Sequence, residues 1–274
     1  MNHAFKILQL KAKQQVYTLL SGHSLSKLYG EGYDFAELRE YQIGDDIRKI
    51  NWTITAKQGK PYIKELHANR ELSVVVATLM DGSLYFAQEN EKQTKMIQTA
   101  MLIAYATQYH GDLFTGIGYS SHPTISTSPT KQLFSIEHFL KTLYTLPLLG
   151  TSLEQQSSIN QLFKRLQKAS LLFILGDFLE EVDLSLLAQK HEVIAVIIRH
   201  REEQSPQKLK EVILENPKDN RHIHTYFSQK SIHRYLKKQE AHDKKLQEHF
   251  ARYQIRSIKI FTDEEPIEKL LTLF

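Results

Sequence analysis

The sequence of 274 residues contains no cysteine. This absence excludes a disulfide framework, a thiolate metal site and a cysteine nucleophile, and with them cysteine proteases, zinc ribbons and thiol redox motifs. A chain without cysteine suits a reducing compartment. We therefore expect a cytoplasmic location.

Long apolar runs are also missing. No stretch approaches the roughly 20 apolar residues that a membrane-spanning helix needs, so we expect no membrane span in this chain. At the N-terminus, Lys6, Lys11 and Lys13 interrupt the segment that would otherwise look like the apolar part of a signal peptide. The net charge of +4 is small for this length, and composition gives no reason to expect nucleic-acid binding.

Several motifs of known enzymes are absent as well. The sequence has no P-loop, no G-x-G-x-x-G opening a helix, no G-x-S-x-G elbow, no H-E-x-x-H pair and no D-x-D-x-T phosphotransfer motif. We therefore predict that the protein is not an enzyme.

What the sequence does contain is a regular alternation of apolar runs and helical patterns. The continuous β-branched run at 72–80 indicates a strand buried on both faces, which is typical of a parallel sheet. Apolar residues at Ile97, Ala100, Met101 and Ala104 then follow helical spacing. The alternation predicts a doubly wound, mostly parallel α/β sheet with functional loops at the carboxyl ends of its strands. Further strands are predicted at 113–119, 171–175, 193–198 and 255–261, and helices at 5–20, 133–143, 153–167, 232–253 and 264–273, with an irregular surface excursion at 199–220.

Residues 30–52 follow neither a helical nor a strand period. Glycines, acids, arginines and aromatics alternate there, so we expect specific contacts rather than an amphipathic face to hold the segment. The segment resembles the signature of domain-of-unknown-function family 58, and the similarity covers roughly residues 20–274. One departure is Asn51, which stands where the family has an aspartate before the Trp52 position.

The resemblance implies an architecture and a set of partners. The core of that family is similar to a von Willebrand factor A domain, and the family is associated with MoxR-type AAA+ ATPases. The resemblance therefore implies two parts. The first is an N-terminal helix and signature segment at 1–70, and it packs on the second, a von Willebrand A-like α/β domain at 71–274. The expected function is that of a non-enzymatic adaptor or substrate recruiter for a MoxR-type AAA+ ATPase, with that ATPase and other von Willebrand A-like proteins as partners.

The resemblance also implies a metal site. Von Willebrand A domains carry a metal-ion-dependent adhesion site of the form Asp-x-Ser-x-Ser after the first strand, and this chain matches it at Asp81 and Ser83 but has Tyr85 at the third position. Thr151 and Asp177 stand where two later loops supply further ligands. Oxygen donors of this kind suit Mg²⁺, but a phenol is a poor ligand, so we expect Mg²⁺ binding to be weak or absent.

Each of these residues also has a structural interpretation. Asp81 and Ser83 could satisfy free N–H groups at a strand end, and Thr151 or Ser152 could cap a helix beginning near Leu153. A further alternative is a magnesium-dependent hydrolase using Asp81 and Asp177, although no nucleophile or base is recognisable beside them.

The signature segment supplies a second set of candidate residues. One interpretation is an arginine–carboxylate network that locks the segment in place, with Phe35 and Trp52 as anchors. The other is a docking surface for a partner. The binding residues expected under either interpretation are Asp34, Phe35, Arg39, Asp45, Asp46, Arg48 and Trp52.

Two other features have an ordinary interpretation and a functional one. The helix predicted at 230–253 carries basic residues on one face, including Lys237 and Lys238, which a nucleic acid or an acidic partner could contact. His222 and His224 have strand spacing and could share a metal, but no third ligand is apparent nearby. We interpret both features as solvated surface.

Overall fold

A computed structural model describes residues 3–21, 35–42, 45, 47, 50–66, 71–86, 90–206, 211–226 and 228–273. The helices are α1 (His3–Ser21), α2 (Trp52–Gln58), α3 (Glu91–Tyr109), α4 (Leu133–Tyr144), α5 (Gln155–Arg165), α6 (Ser185–Lys190), α7 (Arg201–Gln204), α8 (Gln229–Arg252) and α9 (Pro266–Leu271). The strands are β1 (Phe35–Glu40), β2 (Tyr62–Leu66), β3 (Ser73–Leu79), β4 (Leu113–Tyr119), β5 (Ile125–Ser126), β6 (Leu171–Gly176), β7 (Glu192–Arg199), β8 (Glu211–Glu215), β9 (His222–Tyr226) and β10 (Arg256–Phe261).

Contacts divide the chain into two compact units. The larger unit combines the residues up to Val16 with Leu72 onward, and the smaller unit is Tyr17–Glu71. Most of α1 therefore belongs to the larger unit.

A six-stranded sheet forms the centre of the larger unit, with the spatial order β10-β7-β6-β3-β4-β5. The neighbouring pairs from β10 to β4 are parallel, and only the short β5 runs antiparallel to β4. The apolar β-branched composition of β3 and β7 fits this position, because strands covered on both faces have no solvent side. The mostly parallel α/β sheet predicted from the sequence is confirmed.

Helices cover both faces of this sheet. On one face, strand residues such as Ala77, Ile174 and Ala195 form a buried cluster with Leu162 of α5 and Phe250 of α8. The alternate strand residues lie under α3 and α4. Gly116 and Gly118 of β4 have no side chains there because the ring of Phe139 and the Leu143 side chain fill that space.

Helix α1 lies against the helices of the second face through the part that belongs to the larger unit. Its buried residues include Phe5, whose ring centroid is 5.2 Å from that of Tyr144 in α4. Lys13 forms an ion pair with Glu137, and Lys11 forms one with Glu265, each at 2.5 Å. The amphipathic pattern of α1 is thus used for packing.

The smaller unit contains an antiparallel pair of strands, β1 and β2, with a register shift between Phe35 and Glu37. Helix α2 lies between them in the chain. Asn51 caps it, because its Oδ1 accepts a hydrogen bond from the N–H of Ile54 at 3.3 Å, and Gly59 ends it with φ +71°. An asparagine at position 51 therefore performs the capping for which an aspartate would also be suited.

The region predicted as an irregular excursion at 199–220 is more ordered than expected. It contains α7 and β8, and β8 pairs with β9 in a separate two-stranded antiparallel sheet. The link between the two strands, residues 216–221, is called the hairpin turn. An exposed ribbon of this kind lacks the continuous apolar run of a buried strand, so the sequence pattern did not reveal it.

Candidate functional site

The sheet reverses its winding direction between β3 and β6. Counted along the chain, the parallel strands have the spatial order 2-1-3-4-5, and sheets of this kind bind ligands outside the carboxyl ends of the strands at the switch point. Asp81 follows β3 and Asp177 follows β6 at this carboxyl edge. The topology therefore brings together two of the residues predicted from the sequence.

Asp81 is buried and holds the start of a 3₁₀ turn at 82–84. Its Oδ1 accepts hydrogen bonds from the N–H of Ser83 at 2.8 Å and from the Ser83 hydroxyl at 2.5 Å. The structural interpretation of this pair as a cap is thus confirmed. The other carboxylate oxygen, Oδ2, is 2.8 Å from the Nζ of Lys218 in the hairpin turn.

Lys218 contacts two carboxylates at once. Its Nζ also lies 2.5 Å from Oε1 of Glu180. Burial acts to lower the pKa of Lys218, but the contacts with Asp81 and Glu180 outweigh burial and raise this pKa above its ordinary value. Lys218 is accordingly a stable cation on the Asp81 side of the site.

Lys92, near the start of α3, supplies a second cation and has no exposed surface. Its Nζ lies 2.8 Å from the carbonyl oxygen of Ser83, 3.2 Å from Oδ2 of Asp177 and 2.8 Å from Oε1 of Glu203. Burial acts to raise the pKa of Asp177, but the Lys92 ammonium and the Ser83 hydroxyl outweigh burial and hold this pKa below its ordinary value. Both carboxylates that face Lys92 are themselves buried.

The loop after Asp177 is held in an unusual backbone conformation. Phe178 has φ +49°, which is uncommon for a residue with a side chain, and its ring is fully buried against Phe250. Its carbonyl oxygen accepts a hydrogen bond from Nη2 of the buried Arg199 at 3.2 Å and lies 2.8 Å from Nε2 of His242. These contacts fix the Asp177 loop from the side of β7 and α8.

The hairpin turn closes directly over the loop that carries Asp81. A Cβ atom added at Gly82 would lie 2.0 Å from the carbonyl oxygen of Pro217, so only glycine permits this approach. The same oxygen accepts the N–H of Gly150 at 2.8 Å, and the N–H of Gly82 donates to the carbonyl of Thr151 at 2.9 Å. Backbone contacts thus connect the β3 loop, the 150–151 loop and the hairpin turn.

The remaining predicted ligands do not converge with the two aspartates into a set of open oxygen donors. The Thr151 hydroxyl donates to the carbonyl of Leu148 at 2.6 Å, and α5 begins at Gln155 without a side-chain cap, so the expectation that Thr151 or Ser152 caps this helix is wrong. Tyr85 ends the 3₁₀ turn and is half-buried. Within the described part of the chain, no three His, Asp or Glu side chains form a group that could hold a metal ion.

Sequence reasoning missed Lys92, Glu203 and Lys218. A signal existed for Lys92, because it lies four residues before the buried Met96 and so shares the apolar face of α3. Glu203 and Lys218 gave no such signal, since a turn or a four-residue helix does not reveal where it lies in the fold.

The candidate residues of the signature segment are only partly described. Asp34, Asp46 and Arg48 lie outside the described residues, and for Phe35 and Arg39 only the backbone, within β1, is described. Asp45 accepts the N–H of Gln42 on Oδ2 at 2.8 Å. The proposed arginine–carboxylate network stays a prediction.

Among the candidate residues of the signature segment, Trp52 is one whose side-chain exposure is described. It is the first residue of α2, and 68% of its surface is exposed. The expectation that Trp52 is a buried anchor is wrong, since the start of this short helix turns the indole outward while Ile63 of β2 is buried.

The basic helix and the His222/His224 pair lie on a helix and a strand, as expected from the sequence. Lys237 and Lys238 are exposed on α8, and Lys245 of the same helix pairs with Glu181 at 3.1 Å. His222 and His224 lie exposed on β9. None of the described helices has both the length and the apolar composition needed to cross a bilayer.

Comparison with known proteins gives relatives without an established function. The uncharacterized proteins Rv1480 of Mycobacterium tuberculosis and Mb1516 of Mycobacterium bovis are each 27% identical over 201 residues, which is 70% of this chain and 63% of theirs. The chain therefore spans less than two thirds of the length of these curated relatives.

Two solved structures are distantly similar. They are the conserved hypothetical protein BatB from Bacteroides thetaiotaomicron, at 10% identity, and an aerotolerance-related membrane protein from Bacteroides fragilis carrying multiple mutations to serine, at 11%. Each aligns with a TM-score of 0.41 over 73% of this chain and over 95% and 96% of the respective structures.

A family comparison is more decisive. Residues 37–245 match the family described as protein of unknown function DUF58. Because the match extends over more than half of the chain, the protein belongs to the DUF58 family.

Proposed function

We propose that this protein is a non-enzymatic protein-interaction module of the von Willebrand A-like type, acting as an adaptor or substrate recruiter for a MoxR-type AAA+ ATPase. The ATPase partner comes from the resemblance found in the sequence, and the proposal keeps the expected cytoplasmic location. The observation that supports the proposal is the pairing of the aspartates at the carboxyl edge of the sheet with lysines. There, Asp81 and Asp177 are each engaged by a lysine.

This arrangement suits a scaffold better than a reaction centre. A carboxylate that activates water or binds a catalytic metal must offer free lone pairs to the reacting group. Asp81 and Asp177 instead use their oxygens to fix the Ser83 turn and to pair with ammonium groups. The hydrolase alternative is therefore less well supported than the adaptor.

The β8–β9 hairpin offers a surface that a partner protein could contact. Leu214 and Ile223 pair directly across the two strands, and both are exposed. A two-stranded ribbon is marginally stable alone, and exposed apolar side chains on such an element are typical of interaction sites. The exposed apolar residues of the hairpin are Ile213, Leu214, Ile223 and Tyr226.

The proposal is tested by measuring binding of the full chain to a purified MoxR-type AAA+ ATPase from the same organism. Biolayer interferometry would compare the natural chain with the double variant Leu214→Asp/Ile223→Asp, which changes the two paired residues on one face of the hairpin. We expect the double variant to bind about tenfold or more weakly, as expected when apolar residues at the centre of an interface are replaced.

A matched control is Phe134→Asp, because Phe134 is a large apolar residue that is also exposed but lies on α4. It should bind like the natural chain. Absence of any complex, or equal binding by the hairpin variant and the control, would contradict the proposal.

A further inference from the structure

We propose that the ammonium groups of Lys92 and Lys218 take the place of a divalent cation at the carboxyl edge, so that this site works without a bound metal. The inference concerns only which cation neutralises Asp81 and Asp177. It deepens the proposed function, but it stands or falls independently of the ATPase partner.

The position of Lys92 is the first support. Its Nζ has three oxygen neighbours within 3.2 Å, namely the Ser83 carbonyl, Asp177 and Glu203. Oxygen atoms from three separate segments of the chain around one buried cation are what a metal ion would otherwise organise. Lys92 fills that role with a group that is part of the chain.

The position of Lys218 is the second support, and it is independent of the first because it comes from the hairpin turn. Its Nζ lies 2.8 Å from Oδ2 of Asp81. The other oxygen of Asp81 already receives two hydrogen bonds from Ser83. A metal approaching Asp81 would therefore meet the Lys218 ammonium at Oδ2 and the Ser83 hydrogen bonds at Oδ1.

Electrostatics then decides between the two kinds of cation. Four carboxylates surround the two ammonium groups, and the ammonium nitrogens already lie within 3.2 Å of one oxygen of each carboxylate, so a dication would have to displace them to reach these oxygens. Mg²⁺ also needs near-octahedral geometry and gives up its water reluctantly. The tethered ammonium groups need no such dehydration, which favours them over a metal at these carboxylates. Lys92 and Lys218, rather than Tyr85, are then the main obstacle to metal binding.

The test is calorimetric titration of the full chain with Mg²⁺ and with Mn²⁺. Lys218→Met is the informative variant, because Lys218 is on the rim and its removal leaves Lys92 to hold the core. Lys245→Met is the matched control, since Lys245 also pairs with a glutamate but is exposed on α8.

We expect no saturable binding by the natural chain at metal concentrations up to about 1 mM, and at least about tenfold tighter Mn²⁺ binding by Lys218→Met than by Lys245→Met. Micromolar binding by the natural chain that is lost in Asp81→Asn would overturn the inference. A folded Lys218→Met variant with no gain over the control would overturn it as well.

Discussion

Lys92 has no exposed surface, and two buried carboxylates, those of Asp177 and Glu203, depend on it. Replacing it by methionine keeps a similar volume but removes the cation that pairs directly with both carboxylates. Removing one partner of a buried ion pair costs about 3–5 kcal/mol. We therefore predict that Lys92→Met lowers the free energy of unfolding by that amount, measured by urea denaturation.

The exposed pair of Lys245 and Glu181 provides the comparison. Both side chains are 70% exposed, and exposed ion pairs contribute at most about 1 kcal/mol. Lys245→Met should therefore change the stability little. If Lys92→Met is no more harmful than Lys245→Met, the buried cation does not hold the loops together.

Gly82 permits the contact between the Asp81 loop and the hairpin turn. An alanine Cβ would lie 2.0 Å from the carbonyl oxygen of Pro217, and a backbone oxygen cannot rotate away as a side chain can. We predict that Gly82→Ala destabilises the protein by about 1–3 kcal/mol, the usual cost of overpacking. Thermal and urea unfolding would both measure the change.

Gly176→Ala is the control for this substitution. Its added Cβ would lie 3.5 Å or more from its neighbours, which is ordinary contact, and its backbone is not in the left-handed region. An equal effect of the two substitutions would show that the hairpin turn moves freely away from Gly82.

His191 is a buried histidine whose two ring nitrogens have no hydrogen-bond partner among the described residues. Burial, and secondarily the nearby Lys190, lower the pKa of His191 below its ordinary value of about 6.5. In acid the unfolded chain therefore binds a proton here that the folded chain does not. The free energy of unfolding must fall as the pH decreases below about 6.5.

Urea denaturation at several pH values checks this prediction through His191→Leu. Between about pH 7 and pH 5 the variant should lose less stability than the natural chain, because it lacks the titrating group. His222→Leu, on the exposed strand β9, should follow the natural chain. Parallel profiles for all three proteins would contradict the assignment.

At the scale of elements, α8 combines a buried side with a basic side. Ile232, Leu246 and Phe250 are buried, so packing alone accounts for the amphipathic pattern. We predict that the natural chain binds nucleic acid only weakly and in a salt-sensitive way. Reversing Lys237 and Lys238 to glutamate should leave this weak binding unchanged or lower it. Fluorescence anisotropy with single- and double-stranded DNA and RNA measures it, and submicromolar affinity at physiological salt that these reversals abolish would refute this prediction.

The helices and strands differ in how well they could be predicted from the sequence. The parallel strands were predictable because burial on both faces leaves a continuous apolar run, as in β3 and β7. The β1–β2 and β8–β9 pairs were not, because a two-stranded ribbon needs no such run and β1 also contains a register shift. Helix α2 was not predicted either, because a helix of only seven residues is too short to show a clear helical period.

The site was less predictable than the sheet, because its two aspartates were predicted but Lys92, Glu203 and Lys218 were not. The family resemblance paired Asp81 with Asp177, and the strand order agrees with that pairing because the carboxyl ends of parallel strands meet at one edge. Lys218 could not be predicted, because its position depends on where a hairpin turn packs in three dimensions. For Trp52 the aromatic character suggested burial, while the indole is in fact exposed at the start of α2.

At the scale of the whole molecule, the sheet, α3 and the hairpin turn each contribute one part of the carboxyl edge. β3 and β6 provide the carboxylates, α3 provides Lys92, and the hairpin turn provides Lys218. Since these parts come from distant positions in the chain, the edge forms only when the larger unit is folded. Each of its two aspartates is paired with a lysine of the same chain, and we propose the exposed hairpin as the surface for a partner.

Whether lysines rather than a metal neutralise Asp81 and Asp177 can be seen in a crystal of the full chain soaked in about 10 mM MnCl₂, with anomalous diffraction data to locate the metal. We expect no anomalous peak between Asp81 and Asp177, and we expect Lys92 to be surrounded by the Ser83 carbonyl, Asp177 and Glu203. An anomalous peak bound to Asp81 and Asp177, with Lys92 or Lys218 displaced, would contradict this expectation.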